Sequence, residues 1–179
     1  MSAEELAVLI CASLQRSHAV EVDGLGVFSR DGSGRITLDH GNRPRIFVAY
    51  VLEDVEIAEK LFRAFEAMDC SPWLDRQKLL PGQNWPQRIQ EAIENADFFI
   101  PCFSMNSVRK RGGFQTEIRH ALECGSRRPL DDVFMIPVRL DDCHVPARIQ
   151  RETQYVDLFP DWVAGLERIM AIIEAQRWE

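Results

Sequence analysis

From Arg45 onward, short and nearly continuous apolar runs alternate with longer amphipathic segments, and few architectures accommodate that alternation. Arg45 to Tyr50 is a short apolar strand. Asp54 to Met68 is an amphipathic helix, with Ile57, Ala58, Leu61, Phe62 and Phe65 on one face and Asp54 as its cap. Pro72 to Leu74 is a second strand, and Trp85 to Ala96 a helix with Ile89, Ala92 and Ile93 inward. Asp97 to Phe103 is almost wholly apolar, as a strand covered on both faces requires. Phe114 to Cys124 reads as a helix ended by Gly125. Val133 to Leu140 is a fourth strand, Tyr155-Val156 a short fifth, and Trp162 to Arg177 a closing helix with Leu166, Ile169, Met170 and Ile173 as its stripe. Strands alternating with helices predict a parallel sheet between helical layers: a flavodoxin-like α/β sandwich with five central strands.

Residues 1–43 follow another rhythm. Residues 3–16 read as a helix capped by Ser2, with Leu6, Leu9, Ile10 and Leu14 at helical spacing. Val20-Glu21-Val22, Val27-Phe28 and Arg35-Ile36-Thr37-Leu38 read as two or three short strands, parted by Asp23-Gly24-Leu25-Gly26 and Asp31-Gly32-Ser33-Gly34. A helix and β-hairpin unit of roughly forty residues buries too little surface to stand alone, so it must pack on the rest of the chain or on another copy. The polar stretch Asp39 to Pro44 places the boundary, which gives an extension at 1–43 and a main domain at 44–179.

The composition sets outer limits on function. At 46% hydrophobic and 27% charged, the 179 residues can bury a core. A net charge of -7 argues against a bulk nucleic-acid binder. Cys11, Cys70, Cys102, Cys124 and Cys143 are odd in number, show no C-x-x-C spacing and follow no signal peptide, which implies a reducing, cytoplasmic setting with mostly buried thiols. His18, His40, His120 and His144 are scattered, so neither a metal site nor a cofactor is expected. No apolar run is long enough to span a bilayer, and no membrane partner is expected.

In an open parallel sheet, ligands bind beyond the carboxyl ends of the strands. Three segments leave those ends: Tyr50 to Asp54, Asp75 to Trp85, and Ser104 to Glu117. The first strand runs into Val51-Leu52-Glu53-Asp54 rather than a glycine-rich phosphate loop, and neither a Walker pattern nor a G-x-S-x-G elbow occurs. These residues by themselves leave a carboxylate site of open function. Glu117 would serve equally as solvated helix surface, Asp75 as a loop cap, Tyr50 as a sheet-edge aromatic, Ser104 and Ser107 as capping residues, and Trp73 and Trp85 as core. His120, three residues after Glu117, shares its helix face and either tunes it or meets solvent.

Taken in order, residues 45–176 resemble a Toll/interleukin-1 receptor (TIR) domain of the prokaryotic kind. Ile46-Phe47-Val48-Ala49-Tyr50 with Asp54 resembles the first box of that family, and Trp73-Leu74-Asp75 with Lys78-Leu79 and Pro81-Gly82 its second strand and following loop. Trp85 with Ile89, Ala92 and Ile93 matches the next helix. Asp97-Phe98-Phe99-Ile100 with Phe103-Ser104 is similar to the third strand, and Ile136-Pro137-Val138 to the fourth. Phe114-Gln115-Thr116-Glu117-Ile118, with Ala121-Leu122, is similar to the helix that bears the family's catalytic glutamate. The resemblance implies hydrolysis of NAD+ to nicotinamide and ADP-ribose or a cyclic form, with Glu117 catalytic. It implies that Tyr50, Asp75, Trp85, Ser104 and Phe114 frame the substrate. Lys78, Leu79, Pro81 and Gly82 would lie in an assembly loop. It implies self-association, a partner or signal as trigger, and service in antiphage defence; the alternative within the family is a non-enzymatic scaffold. Two positions depart from the pattern: Ala49 stands where a serine is usual, and Gly113 where a tryptophan often precedes the glutamate by four. Gly24-Leu25-Gly26-Val27-Phe28 and its surroundings bear a fainter likeness to an HU-like fold without the first helix or basic arms, which implies a dimerising remnant.

Overall fold

The computed structural model describes residues 3–14, 17, 19–22, 26–30, 34–39, 43–74 and 84–177. The expected assembly-loop residues Lys78, Leu79, Pro81 and Gly82, the strand-end Asp75 and the helix cap Ser2 lie outside them. The chain divides into two units, Met1–Arg43 and Pro44–Glu179. In the first, α1 (Ala3–Ser13) precedes an antiparallel meander of β1 (Ala19–Val22), β2 (Gly26–Arg30) and β3 (Ile36–Asp39), with Val20 opposite Phe28 and Phe28 opposite Leu38. Three strands form, one more than a single hairpin. Among the described residues, Ile10 of α1 and Leu14 just after it are buried one turn apart, with Leu6 half-buried a turn earlier, whereas Val8 and Leu9 are exposed.

The second unit runs β4 (Arg45–Ala49), α2 (Val55–Ala67), β5 (Ser71–Leu74), α3 (Trp85–Glu94), β6 (Phe98–Phe103), α4 (Gly113–Gly125), β7 (Val138–Arg139), α5 (Ala147–Glu152), β8 (Val156–Asp157) and α6 (Trp162–Arg177). The strands form one parallel sheet in the order β5-β4-β6-β7-β8. This is the expected α/β sandwich. Period-two alternation along β4 sends successive side chains to opposite layers. Ile46, Val48 and Tyr50 pack with Ala58, Leu61 and Phe65 of α2 and with Leu166, Ile169 and Ile173 of α6. Phe47, Ala49 and Val51 pack with Ile93 of α3, Phe114, Ile118 and Ala121 of α4, and Ile149 of α5. Phe47 stacks on Trp73 at 4.8 Å and on Phe99 at 5.4 Å. Each such fully buried phenylalanine contributes about 1.5–3 kcal/mol of burial.

Three local expectations are revised. The fourth strand, expected over Val133–Leu140, pairs regularly only at Val138–Arg139, although the segment runs beside β6 from Phe134 to Leu140: Phe99 donates to Phe134, Ile136 to Phe99 and Leu140 to Phe103. Pro101 and Pro137 lack the N–H that a continuous ladder needs. The short helix α5 has no counterpart in the sequence reading, because six residues carry too few turns for a periodic signal. Asp54 does stand at the N-terminus of α2, but its side chain makes no capping bond.

Candidate functional site

The chain leaves β4 to form β5 on one side, then crosses back to form β6 on the other, so the order reverses between β4 and β6. At such a switch point the two outgoing loops diverge and open a crevice above the strand ends. Residues 50–54 and 104–112 are those loops.

Asp54 ties them together. Its carboxylate is buried and accepts a short hydrogen bond from the Ser104 hydroxyl and a 2.7 Å bond from Asn106 Nδ2. Ser104 Oγ accepts in turn from the backbone N–H groups of Asn106 and Ser107, at 3.2 and 3.0 Å. The Ser104 N–H donates to Ser107 Oγ at 2.8 Å, and Ser107 Oγ donates back to the Ser104 carbonyl at 3.2 Å. Asp141, just after β7, accepts from the Met105 N–H at 3.0 Å. Lys110 pairs with Glu53 across the same two loops. Buried polar groups must be satisfied, and here the satisfaction comes from the neighbouring strand's loop, which sets the path into α4. Sequence reading of Asp54 as a cap and of Ser104 as a ligand group missed this network. Its signal is the polar run Ser104-Met105-Asn106-Ser107 directly after an apolar strand.

Glu117 lies on the inward face of α4, with Phe114, Ile118, Ala121 and Cys124, and is only 9% exposed. A solvated surface glutamate does not occupy that stripe. Phe114 packs edge-on against Phe103 at 5.8 Å, which fixes the first turn of α4 against the end of β6. At Gly113 an added Cβ would stand 3.7 Å from Glu117 Oε1, so the missing side chain leaves space directly beside the carboxylate. The preceding Gly112 has φ +119°, a backbone that favours glycine and allows the abrupt entry into the helix.

The expected site residues do not all share one layer. Phe114 and Glu117 belong to the α3/α4 side, while Tyr50 is buried with the α2/α6 side, so they lie in opposite layers of the sandwich. Trp85 opens α3 and is 46% exposed, which excludes it from the core, whereas Trp73 is half-buried on Phe47. His120 pairs with Glu94, its Nε2 3.2 Å from the carboxylate. Cys102, inside β6, has its thiol pushed far above the usual range by burial and by the Asp54 charge, which removes it as a nucleophile. A cleft of about 320 Å³ lined by Arg45, Phe47, Trp73, Arg88 and Asn95 sits at the amino ends of the strands, the wrong end for a switch-point ligand. A carboxylate beside aromatic surface at the carboxyl end can accept hydroxyl hydrogen bonds and stabilise a developing cation. Among the described residues no helix is long and apolar enough to cross a membrane.

Comparison with known proteins agrees with this architecture. No curated protein matches the chain significantly in sequence. The TIR domain of the Toll-related receptor TRR-2 from Hydra magnipapillata superposes with a TM-score of 0.58 at 20% identity, over 72% of this chain and 97% of that one. A metazoan TIR-STING receptor from C. gigas gives 0.58 at 19% identity, over 73% and 40%. The Clostridium botulinum CMP N-glycosidase BcmB gives 0.51 at 19% identity, over 71% and 98%. The family model described as TIR domain matches residues 46–170, and the chain belongs to that family.

Proposed function

We propose that this protein hydrolyses NAD+ at the bond between nicotinamide and ribose, with Glu117 as the catalytic carboxylate. The observation that carries the reading is the burial of Glu117 on the inward face of α4, beside the switch point and next to the space left by Gly113. Placing a carboxylate there costs solvation, so a surface role does not account for it. Nicotinamide leaves from a cationic nitrogen and needs little acid assistance. The ribosyl centre gains oxocarbenium character, and a carboxylate holding the ribose hydroxyls stabilises that charge. N-glycoside cleavage is also the activity of one protein that shares this fold.

In this reading Phe114 and Trp85 provide aromatic surface for the nicotinamide side, Tyr50 closes the rim, and Asp75 orients the substrate. Ser104 acts through the loop it braces. The segment with Lys78, Leu79, Pro81 and Gly82 mediates TIR–TIR association, residues 1–43 help pair the copies, and a partner or signal triggers assembly in the cytoplasm during antiphage defence.

Concentrated full-length protein is assayed for nicotinamide release from NAD+, wild type against Glu117→Gln. Loss of at least about a hundredfold in rate, with folding and association unchanged, is expected for removal of a transition-state charge partner. Association without any nicotinamide release would replace this reading with that of a scaffold.

A further inference from the structure

A second cluster of reactive side chains lies one turn further along α4, outside the crevice. His120 and Cys124 are spaced i, i+4, so both project from the same face of the helix. Glu94, the last residue of the neighbouring α3, meets them across the helix pair. His120 Nε2 is 3.2 Å from Glu94 Oε1 and 3.7 Å from Cys124 Sγ, and the three ligand atoms all lie within 4.8 Å of one another.

We propose that Glu94, His120 and Cys124 form a transition-metal site of the zinc class that ties α3 to α4. The arrangement approaches three corners of a tetrahedron, with two of the three edges already in place. Zinc bonds of about 2.3 Å to sulfur and about 2.0–2.1 Å to nitrogen or oxygen give edges of roughly 3.5 Å between sulfur and nitrogen and roughly 3.4 Å between nitrogen and oxygen. The two short separations already stand near those values. The remaining carboxylate–thiolate edge closes by rotation of the Glu94 side chain, which is half exposed and free to adjust. One imidazole, one thiolate and one carboxylate suit a borderline cation. The carboxylate and thiolate charges neutralise a divalent ion, and water takes the fourth, solvent-facing position. Cysteine ligates zinc as the thiolate, so the ion displaces a proton from sulfur on binding. The Glu94–His120 ion pair joins the two helices, and the i, i+4 spacing brings Cys124 Sγ to the same nitrogen. The bound ion would brace the helix that carries Glu117, yet the site is independent of any chemistry at Glu117.

The test uses reduced, metal-free, full-length protein titrated with zinc sulfate against a chromophoric chelator, with Co2+ as spectroscopic probe. One ion per chain is expected, with a rise in Tm of roughly 5–10 °C at free zinc about a hundredfold above Kd. Bound Co2+ should show a thiolate charge-transfer band. The band disappears in Cys124→Ser, and zinc affinity falls at least about tenfold in Cys124→Ser and His120→Ala and also in Glu94→Gln. Cys11→Ser, which removes an exposed thiol elsewhere, should leave binding intact. Glu94→Gln changes an exposed side chain, so it decides the matter even if the Cys124 variant fails to fold. Absence of stoichiometric binding, binding that survives Glu94→Gln and His120→Ala unchanged, or binding lost with Cys11→Ser would each overturn the proposal.

Discussion

Asp54 offers the sharpest test of how the crevice is built. Replacing it with alanine removes the acceptor for the Ser104 hydroxyl and for Asn106 Nδ2. Hydrogen bonds to a charged group are worth about 1.5–3 kcal/mol each. Part of that is recovered, because the variant no longer desolvates a carboxylate and the exposed Asn106 can rehydrate. Ser104 cannot, since it is almost wholly buried. A net loss of about 2–4 kcal/mol follows, or roughly 5–15 °C in Tm for a domain of this size. Urea denaturation of wild type, Asp54→Ala, Ser104→Ala and the double variant measures it. Because the two residues share one bond, the double variant should be less destabilised than the sum of the singles by about 1–2 kcal/mol. In any assay of catalysis, Asp54→Ala should also lower the rate without touching Glu117, because the loop it pins leads into α4. A stability loss under about 0.5 kcal/mol, or strict additivity of the two substitutions, would refute the claim that this network holds the loop.

Other perturbations probe the same framework. Gly165→Ala should destabilise by about 2–3 kcal/mol on thermal melting, because its Cβ would stand 2.3 Å from the Asp157 carbonyl oxygen and 3.1 Å from Leu158 Cα, both backbone atoms that cannot swing aside. Gly112→Ala should cost about 1–2 kcal/mol through its positive φ, whereas Gly113→Ala, helical and in open contact, should be neutral or stabilising by up to about 1 kcal/mol; paired urea titrations separate them. Burial and the Asp141 charge push the Cys143 thiol up to about 11, so the folded state holds its proton where the unfolded chain loses it. The unfolded state then binds fewer protons, and the urea midpoint should fall as pH rises from about 9 to 11, by less in Cys143→Ala, where the raised thiols of Cys102 and Cys124 still contribute. In native alkylation at neutral pH, Cys11 should react first and Cys102 last.

Much of the fold is legible in the residues because its signals are local. Period-two alternation in β4 and the 3.6-residue stripes of α2, α3 and α6 are set by which side chains must leave water, and each can be read within one element. The weak places are those where neighbours intervene. The segment 133–140 looks like one long strand, yet the prolines at 101 and 137 interrupt its ladder, and that depends on which strand lies alongside. α5 is too short to announce itself.

For the site the division is sharper. By itself the sequence determined that strands would alternate with helices, that their carboxyl ends would carry Tyr50, Ser104 and the segment leading to Glu117, and, through the order of its motifs, which family the chain resembles. It left Glu117 equally readable as helix surface, because a single carboxylate on a helix looks the same whichever way the helix turns. Only the tertiary structure decided that. Packing of Phe114 on Phe103 and the docking of α4 on β4 and β6 turned Glu117 inward, placed Tyr50 on the opposite layer, made Asp54 a brace between loops instead of a cap, and brought Glu94 to His120 and Cys124. These relations join residues far apart in the chain, and their energies come from burial and pairing that exist only once the layers have closed.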